Sequence, residues 1–310
     1  MKILFMGTPE ISAICLDKLI KDGHNISAVV TREDKPRGRG NVMTPTPTKV
    51  LALENGISVY EPKTLKDEDF MKLLGNIDPE LIVVVAYGKI LPVSVLEYPK
   101  YGCINLHVSL LPKYRGAAPM QRAIIEGEKE TGVTVMYMNE GLDTGDIISV
   151  KKFPIGAEDN FEDIHDRSAL VGGELLSHTI REIESGNATR TKQDETLATY
   201  AAKIEKTDCK IDFSKSNQML DCLIRGVTPI PGAFAYLNGK MLKITKAYIT
   251  DGKGEPGEVI ALDGNGLGSF TVACGEGALK VTAVIPEGKG KMSAGDFIRG
   301  RKINLGDKLV

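Results

Sequence analysis

No uninterrupted apolar run of about 18 residues occurs in this 310-residue chain, which argues against a membrane-spanning helix. The amino terminus, Met1-Lys2-Ile3-Leu4-Phe5-Met6-Gly7, lacks the long apolar region of a signal peptide. A cytoplasmic location and no membrane partner are expected. Cys15, Cys103, Cys209, Cys222 and Cys274 are odd in number and form no Cys-x-x-Cys, which argues against a disulfide framework and a thiolate metal site. They read as small core residues. Nucleotide fingerprints are missing too: Gly7-Thr8-Pro9-Glu10 follows the first strand, yet there is no G-x-G-x-x-G and no G-x-x-x-x-G-K-[ST], so nicotinamide, flavin and nucleoside triphosphate binding are disfavoured. Ser109 has no G-x-S-x-G elbow and no cysteine has an obvious histidine mate, so a hydrolytic triad is rejected. Net charge is only −2, with 14 Lys+Arg against 11 Asp+Glu in residues 207–310 and the reverse bias before them. That weak asymmetry is open between a polyanionic partner for the second part and ordinary surface variation.

What is present is a sizeable core. With 42% hydrophobic residues the chain can fill two domains. Short β-branched runs alternate with helical patterns over the first 150 residues, giving candidate strands at Lys2–Met6, Ile26–Thr31, Glu80–Ala86, Gly102–His107, Gly132–Met138 and Ile147–Phe153. A helix over Asn160–Glu184 follows, closed by Gly186. Beyond Ile211, short segments separated by Asn238-Gly239, Asp251-Gly252, Pro256-Gly257 and Asp263-Gly264 indicate a small barrel. The expected class is α/β: a Rossmann-like, mostly parallel sheet with helices on both faces, then an OB-like β-barrel. Boundaries are placed at 1–188 for a catalytic domain, 189–206 for a polar linker and 207–310 for the barrel.

Chemistry concentrates on one strand. Asn105 and His107, two apart, face the same way, while Ile104, Leu106 and Val108 take the other face. Burying two such groups unpaired would cost about 1 to 3 kcal/mol each, so a function is expected. Of four histidines, His24, His165 and His178 read as turn or helix-surface residues. Glu140-Gly141-Leu142-Asp143-Thr144-Gly145-Asp146 offers carboxylates that could orient His107 or could merely cap their own turn. Arg32 to Asn41 is a long, basic, glycine-hinged loop suited to phosphate contacts.

Asn105-x-His107, then Ser109-Leu110-Leu111-Pro112, then Asp143-x-Gly145 36 residues after His107, resembles the active-site set of the folate-dependent formyltransferases. Lys35-Pro36-Arg37-Gly38-Arg39-Gly40, Val84-Val85-Ala86-Tyr87-Gly88, Lys113-Tyr114-Arg115-Gly116-Ala117-Ala118-Pro119, Gln193-Asp194-Glu195 and Met292-Ser293-Ala294 extend the resemblance over essentially the whole chain, to the branch acting on methionyl transfer RNA. Val108 departs from the Gly or Ala usual there, but it faces away from the pair. The resemblance implies transfer of a formyl group from 10-formyltetrahydrofolate to methionyl initiator transfer RNA by a monomer without a metal. It implies that Asn105, His107 and Asp143 are catalytic, that Ser109, Leu110, Leu111 and Pro112 contact the folate, and that Lys35, Arg37, Arg39 and the barrel contact transfer RNA. Glycinamide ribonucleotide formyltransferases share the set but would leave the second domain unexplained. An amino-sugar nucleotide formyltransferase using the same donor is the alternative; a non-catalytic RNA-binding protein and a formate-releasing hydrolase are more distant ones.

Overall fold

The structure is a computed structural model that describes residues 1–310 except Gly38, Arg39 and Asn41, and only the backbone of Arg37. It divides into two compact units, residues 1–116, 130–153 and 165–201 in the first and 117–129, 154–164 and 202–310 in the second. Two stretches expected in the first domain, 117–129 and 154–164, therefore cluster with the second.

The first unit is built on a seven-stranded sheet with the order Ile147–Pro154, Glu130–Tyr137, Cys103–His107, Leu81–Val85, Lys2–Gly7, Asn25–Val30, Val59–Tyr60. The last five are parallel, and Glu130–Tyr137 pairs antiparallel with Cys103–His107. Leu81–Val85 is buried at every position, as a strand covered on both faces must be. The chain leaves Lys2–Gly7 toward one edge and returns to Leu81–Val85 on the other side. This reversal is where open α/β sheets place ligands, beyond the carboxyl ends of the strands. The observed strands match the expected ones to within two residues at either end; the two-residue edge strand Val59–Tyr60 was too short to register as a pattern.

The helix Phe161–Ser185 ends on Gly186 at φ +76°, with Gly186 N–H donating to Ile183 O and Asn187 N–H to Glu182 O. Its middle carries Gly172-Gly173, a costly pair in a helix interior unless something comes close. Leu106 does: a Cβ on Gly172 would lie 2.7 Å from its Cδ2. The face of the Asn105–His107 strand opposite those two residues is thus seated directly on the helix backbone. Gly172→Val should overpack this contact and destabilise the protein by about 1 to 3 kcal/mol, read as a lower Tm; an unchanged Tm would show that Leu106 has room to move.

Cys15 and Cys103 are buried, and burial pushes both thiols up to about 12, so they are inert core residues. Cys209 and Cys274 are buried as well, whereas Cys222 is half-buried.

In the second unit the sheet order is Ala233–Leu237, Lys240–Thr250, Ala278–Pro286, Ser269–Ala273, Val259–Asp263, with Met292–Ser293 also on Ala278–Pro286. The end of the chain joins its two edges. Tyr236 and Val310 exchange backbone hydrogen bonds of 2.7 and 3.0 Å, while Leu309 N–H donates to Gly257 O and Val259 N–H to Asp307 O, both at 2.8 Å. Closure by 307–310 makes the sheet a barrel, filled by Phe270, Val272, Leu279, Val281 and Val284. Among the described residues, no helix is long and apolar enough to cross a membrane, and no three His, Cys, Asp or Glu side chains cluster as metal ligands.

Candidate active site

Asn105 and His107 close the strand Cys103–His107, opposite Met136 and Thr134 of the antiparallel neighbour. His107 is buried; its Nε2 lies 2.9 Å from the Tyr114 carbonyl oxygen. A carbonyl can only accept, so Nε2 carries the hydrogen and the ring's lone pair sits on Nδ1. Nδ1 faces Asp143, whose Oδ2 is 3.6 Å away. That is longer than a hydrogen bond, and with the lone pair on Nδ1 the contact becomes attractive only when that nitrogen takes a proton. Asn105 is half-buried, and its amide makes no hydrogen bond to any described residue.

Asp143 does not cap its own turn. Its Oδ2 accepts from Gly116 N–H at 2.8 Å, across 27 positions of sequence, while Asp146 contributes its carbonyl to Tyr137 N–H. The turn itself is stiffened by Asn139, whose Oδ1 accepts from Gly141 N–H and from Thr144 Oγ1. Asp143 holds φ +54° and Tyr114 φ +61°, so both residues facing His107 sit in the left-handed region.

Ser109 to Pro112 follow directly. The buried Ser109 hydroxyl donates to Lys113 O at 2.7 Å, and Thr134 Oγ1 donates to Ser109 O at 2.7 Å and accepts from Leu111 N–H at 3.3 Å. Ser109 is therefore committed to shaping its own loop, and Leu110 and Pro112 are the half-buried members of the set. At the neighbouring strand end, Ser12 Oγ donates to Val85 O and Thr8 Oγ1 to Tyr87 O, lacing the first loop to Leu81–Val85. Gly7 is required by packing: a Cβ there would sit 2.6 Å from that of Ser12. Burial pushes the Tyr87 phenol up to about 12.

The basic loop contains a small hairpin, Lys35–Arg37 against Val42–Thr44. Lys35 is exposed on it; Arg39 and the Arg37 side chain lie outside the described residues. Its base is fixed by Lys49, whose Nζ bonds Asp34 at 2.9 Å and Glu61 at 2.8 Å. The Lys49 bond to Asp34 holds that carboxyl below its ordinary value.

Residues 189–201, expected as linker, pack into the first unit. Ile147 and Thr191 exchange backbone hydrogen bonds, Thr199 Oγ1 accepts from Tyr114 N–H at 2.9 Å, and Tyr200–Ala201 pairs in parallel with Arg115–Gly116. Arg115, 0% exposed, donates through NH1 and NH2 to the two oxygens of Glu195 at 2.8 Å each and through Nε and NH2 to Gln193 Oε1. The guanidinium holds the Glu195 carboxyl below its usual range. A polar, Thr- and Lys-rich stretch looks solvated by composition; the only signal against that reading was the Gln193-Asp194-Glu195 motif.

The family model described as formyl transferase matches residues 1–180, and the one described as formyl transferase, C-terminal domain, matches residues 203–302. A methionyl-tRNA formyltransferase of Geotalea uraniireducens is 46% identical over 100% of this chain and 98% of its own length, and one of Halalkalibacterium halodurans 47% identical over 97% and 95%. Among solved structures, the N-formyltransferase from Helicobacter canadensis, in complex with folinic acid and dTDP-3-aminofucose, superposes with a TM-score of 0.65 at 21% identity over 91% of this chain and 98% of that one. HypX from Aquifex aeolicus in complex with tetrahydrofolic acid gives 0.67 at 20% identity, over 100% of this chain and 50% of that one. These two share the fold, whereas the sequence relatives align from end to end and this chain matches both models; the chain belongs to the formyl transferase family.

Proposed function

We propose that the protein transfers the formyl group of 10-formyltetrahydrofolate to the α-amino group of methionine esterified to initiator transfer RNA, for translation initiation. The observation that carries this reading is the unspent amide of Asn105 beside the His107–Asp143 pair, 3.6 Å apart, at the carboxyl edge of a buried parallel sheet. The names of the full-length relatives at 40 to 47% identity support the substrate. The sugar formyltransferases among the structural neighbours, at 20 to 21% identity, support only the shared fold.

The reaction forms one C–N bond from the substrate amine to the formyl carbon, breaks the bond from that carbon to N10 of the folate, and moves one proton from the first nitrogen to the second. Asn105 Nδ2 donates to the formyl oxygen, where negative charge develops. His107 takes the amine proton at Nδ1, the ring nitrogen left unprotonated by the Tyr114 carbonyl. Asp143 faces that nitrogen and stabilises the imidazolium. The folate is held by the Ser109–Pro112 loop, with Leu110 and Pro112 the members accessible to it. Lys35, Arg37 and Arg39 reach the acceptor end of the transfer RNA. On the barrel, Lys210 lies 5.9 Å from the Tyr236 ring and Lys246 5.2 Å from that of Tyr248, cations backed by aromatics as nucleic-acid surfaces often are.

Offering the purified protein the folate donor with methionyl initiator transfer RNA, an amino-sugar nucleotide, glycinamide ribonucleotide or water separates the readings. Transfer to the RNA is expected; turnover only with a sugar nucleotide would overturn the proposal. Arg39→Ala should lower kcat/KM for transfer RNA by about tenfold and leave folate affinity intact, consistent with the loss of one phosphate or base contact. An unchanged rate at subsaturating transfer RNA would remove Arg39 from the interface.

A further inference from the structure

Behind the His107–Asp143 pair stands a hydrogen-bonded brace that no step above uses. Gln193 Nε2 donates to Asp143 O and to Gly145 O, each at 2.8 Å, and Gln193 Oε1 accepts from Arg115 Nε at 3.1 Å and NH2 at 2.8 Å. Chemistry dictates the orientation of this amide, because carbonyls only accept and a guanidinium only donates. Both of its hydrogens and both of its lone pairs are used. Arg115 is fully buried and locked by Glu195, and the next residue, Gly116, donates its N–H to Asp143 Oδ2 at 2.8 Å. Asp143 is therefore held twice from one dipeptide: its carboxylate directly, its carbonyl through Gln193.

The double hold has something to oppose. Asp143 sits at φ +54°, a left-handed conformation that Asp tolerates better than most residues, and a turn relaxed away from it would carry its carboxylate away from His107. Asn139 stiffens the turn from within through hydrogen bonds to Gly141 and Thr144. Among the described residues, Gln193 is the one whose side chain ties the carbonyls on both sides of Thr144 to a buried anchor.

Resting on the reading that Asp143 acts on His107, we infer that Gln193 is a positioning residue for the reaction: its two donated hydrogen bonds fix the Asp143–Gly145 turn and so the 3.6 Å approach of the Asp143 carboxylate to His107 Nδ1. Gln193→Glu tests it. The substitution keeps the side chain's size and its pairing with Arg115, but turns an oxygen toward two carbonyls. Because a misplacement of about 1 Å can cost on the order of 100-fold, kcat should fall about 10- to 100-fold, with KM for both substrates changed less than about threefold and Tm held by Arg115. In an Asp143→Asn background the same change should cost less than about threefold, since the position of that side chain no longer matters. Gln193→Met, which removes donors and acceptor together, must show the same kcat loss and the same non-additivity, and decides the matter should the glutamate variant fail to fold. A kcat within threefold of the parent, or a full loss that persists beside Asp143→Asn, overturns the inference. An Asp143→Asn enzyme that itself turns over normally overturns instead the role given to Asp143.

Discussion

Asn105→Ala is expected to lower kcat about 10²- to 10³-fold while Kd for the folate donor changes less than about threefold. Removing one well-placed donor from an oxyanion site costs about 2.7 to 4 kcal/mol of barrier, and Asn105 is the side chain at this strand end with a donor to spare. Its amide has no hydrogen-bond partner among the described residues, so truncation orphans no group inside the protein. Stability should therefore change by less than about 1 kcal/mol, in contrast to the loss of a buried, bonded group. Large loss of rate with little loss of Tm is the signature of a group kept for the substrate. A fall in Tm comparable to that of a core mutation, with kcat nearly intact, would mean that Asn105 is structural. Asn105→Asp sharpens the comparison: at the same volume it sets a carboxylate where negative charge develops, and it should be at least as slow as the alanine variant.

The strand Cys103–His107 was legible because its signal is local. Asn105 and His107 interrupt a run of apolar residues at a spacing of two, and the pleat puts them on one face whatever the tertiary structure does. The parallel sheet was legible for the same reason, since the unbroken β-branched run Leu81-Ile82-Val83-Val84-Val85 is the pattern of a short strand covered on both faces. Asp143 was half legible. Its glycine-bracketed turn suggested either a cap or a partner for His107, and the choice depended on Gly116 N–H, 27 residues away in sequence. Arg115, Gln193 and Glu195 were not legible as a unit. A buried arginine and a solvated one look alike in sequence, and the pairs that satisfy Arg115 span 78 and 80 positions. The closure of the barrel by 307–310 was hidden in the same way, because backbone hydrogen bonds to Tyr236 and Gly257 leave no pattern in the tail that makes them.

His107→Ala should cost about 10²- to 10⁴-fold in kcat, the range for removing a positioned general base. Unlike Asn105→Ala it should also lower Tm. His107 is buried, and its loss removes the 2.9 Å hydrogen bond from Nε2 to the Tyr114 carbonyl and opens a cavity beside it, each of which costs stability. A fall in activity could then reflect a smaller folded fraction, so kcat must be referred to folate-binding-competent protein. The decisive measurement is a double-mutant cycle with Asp143→Asn. On the proposed mechanism Asp143 acts through His107 Nδ1, 3.6 Å away, and once the imidazole is gone it has nothing to orient or stabilise. His107→Ala combined with Asp143→Asn should therefore be no slower than His107→Ala alone, by a margin of about threefold, although Asp143→Asn in the parent enzyme costs tenfold or more. Additive losses would place the Asp143 carboxylate in direct contact with the substrate amine, and the base would then be Asp143 and not the histidine.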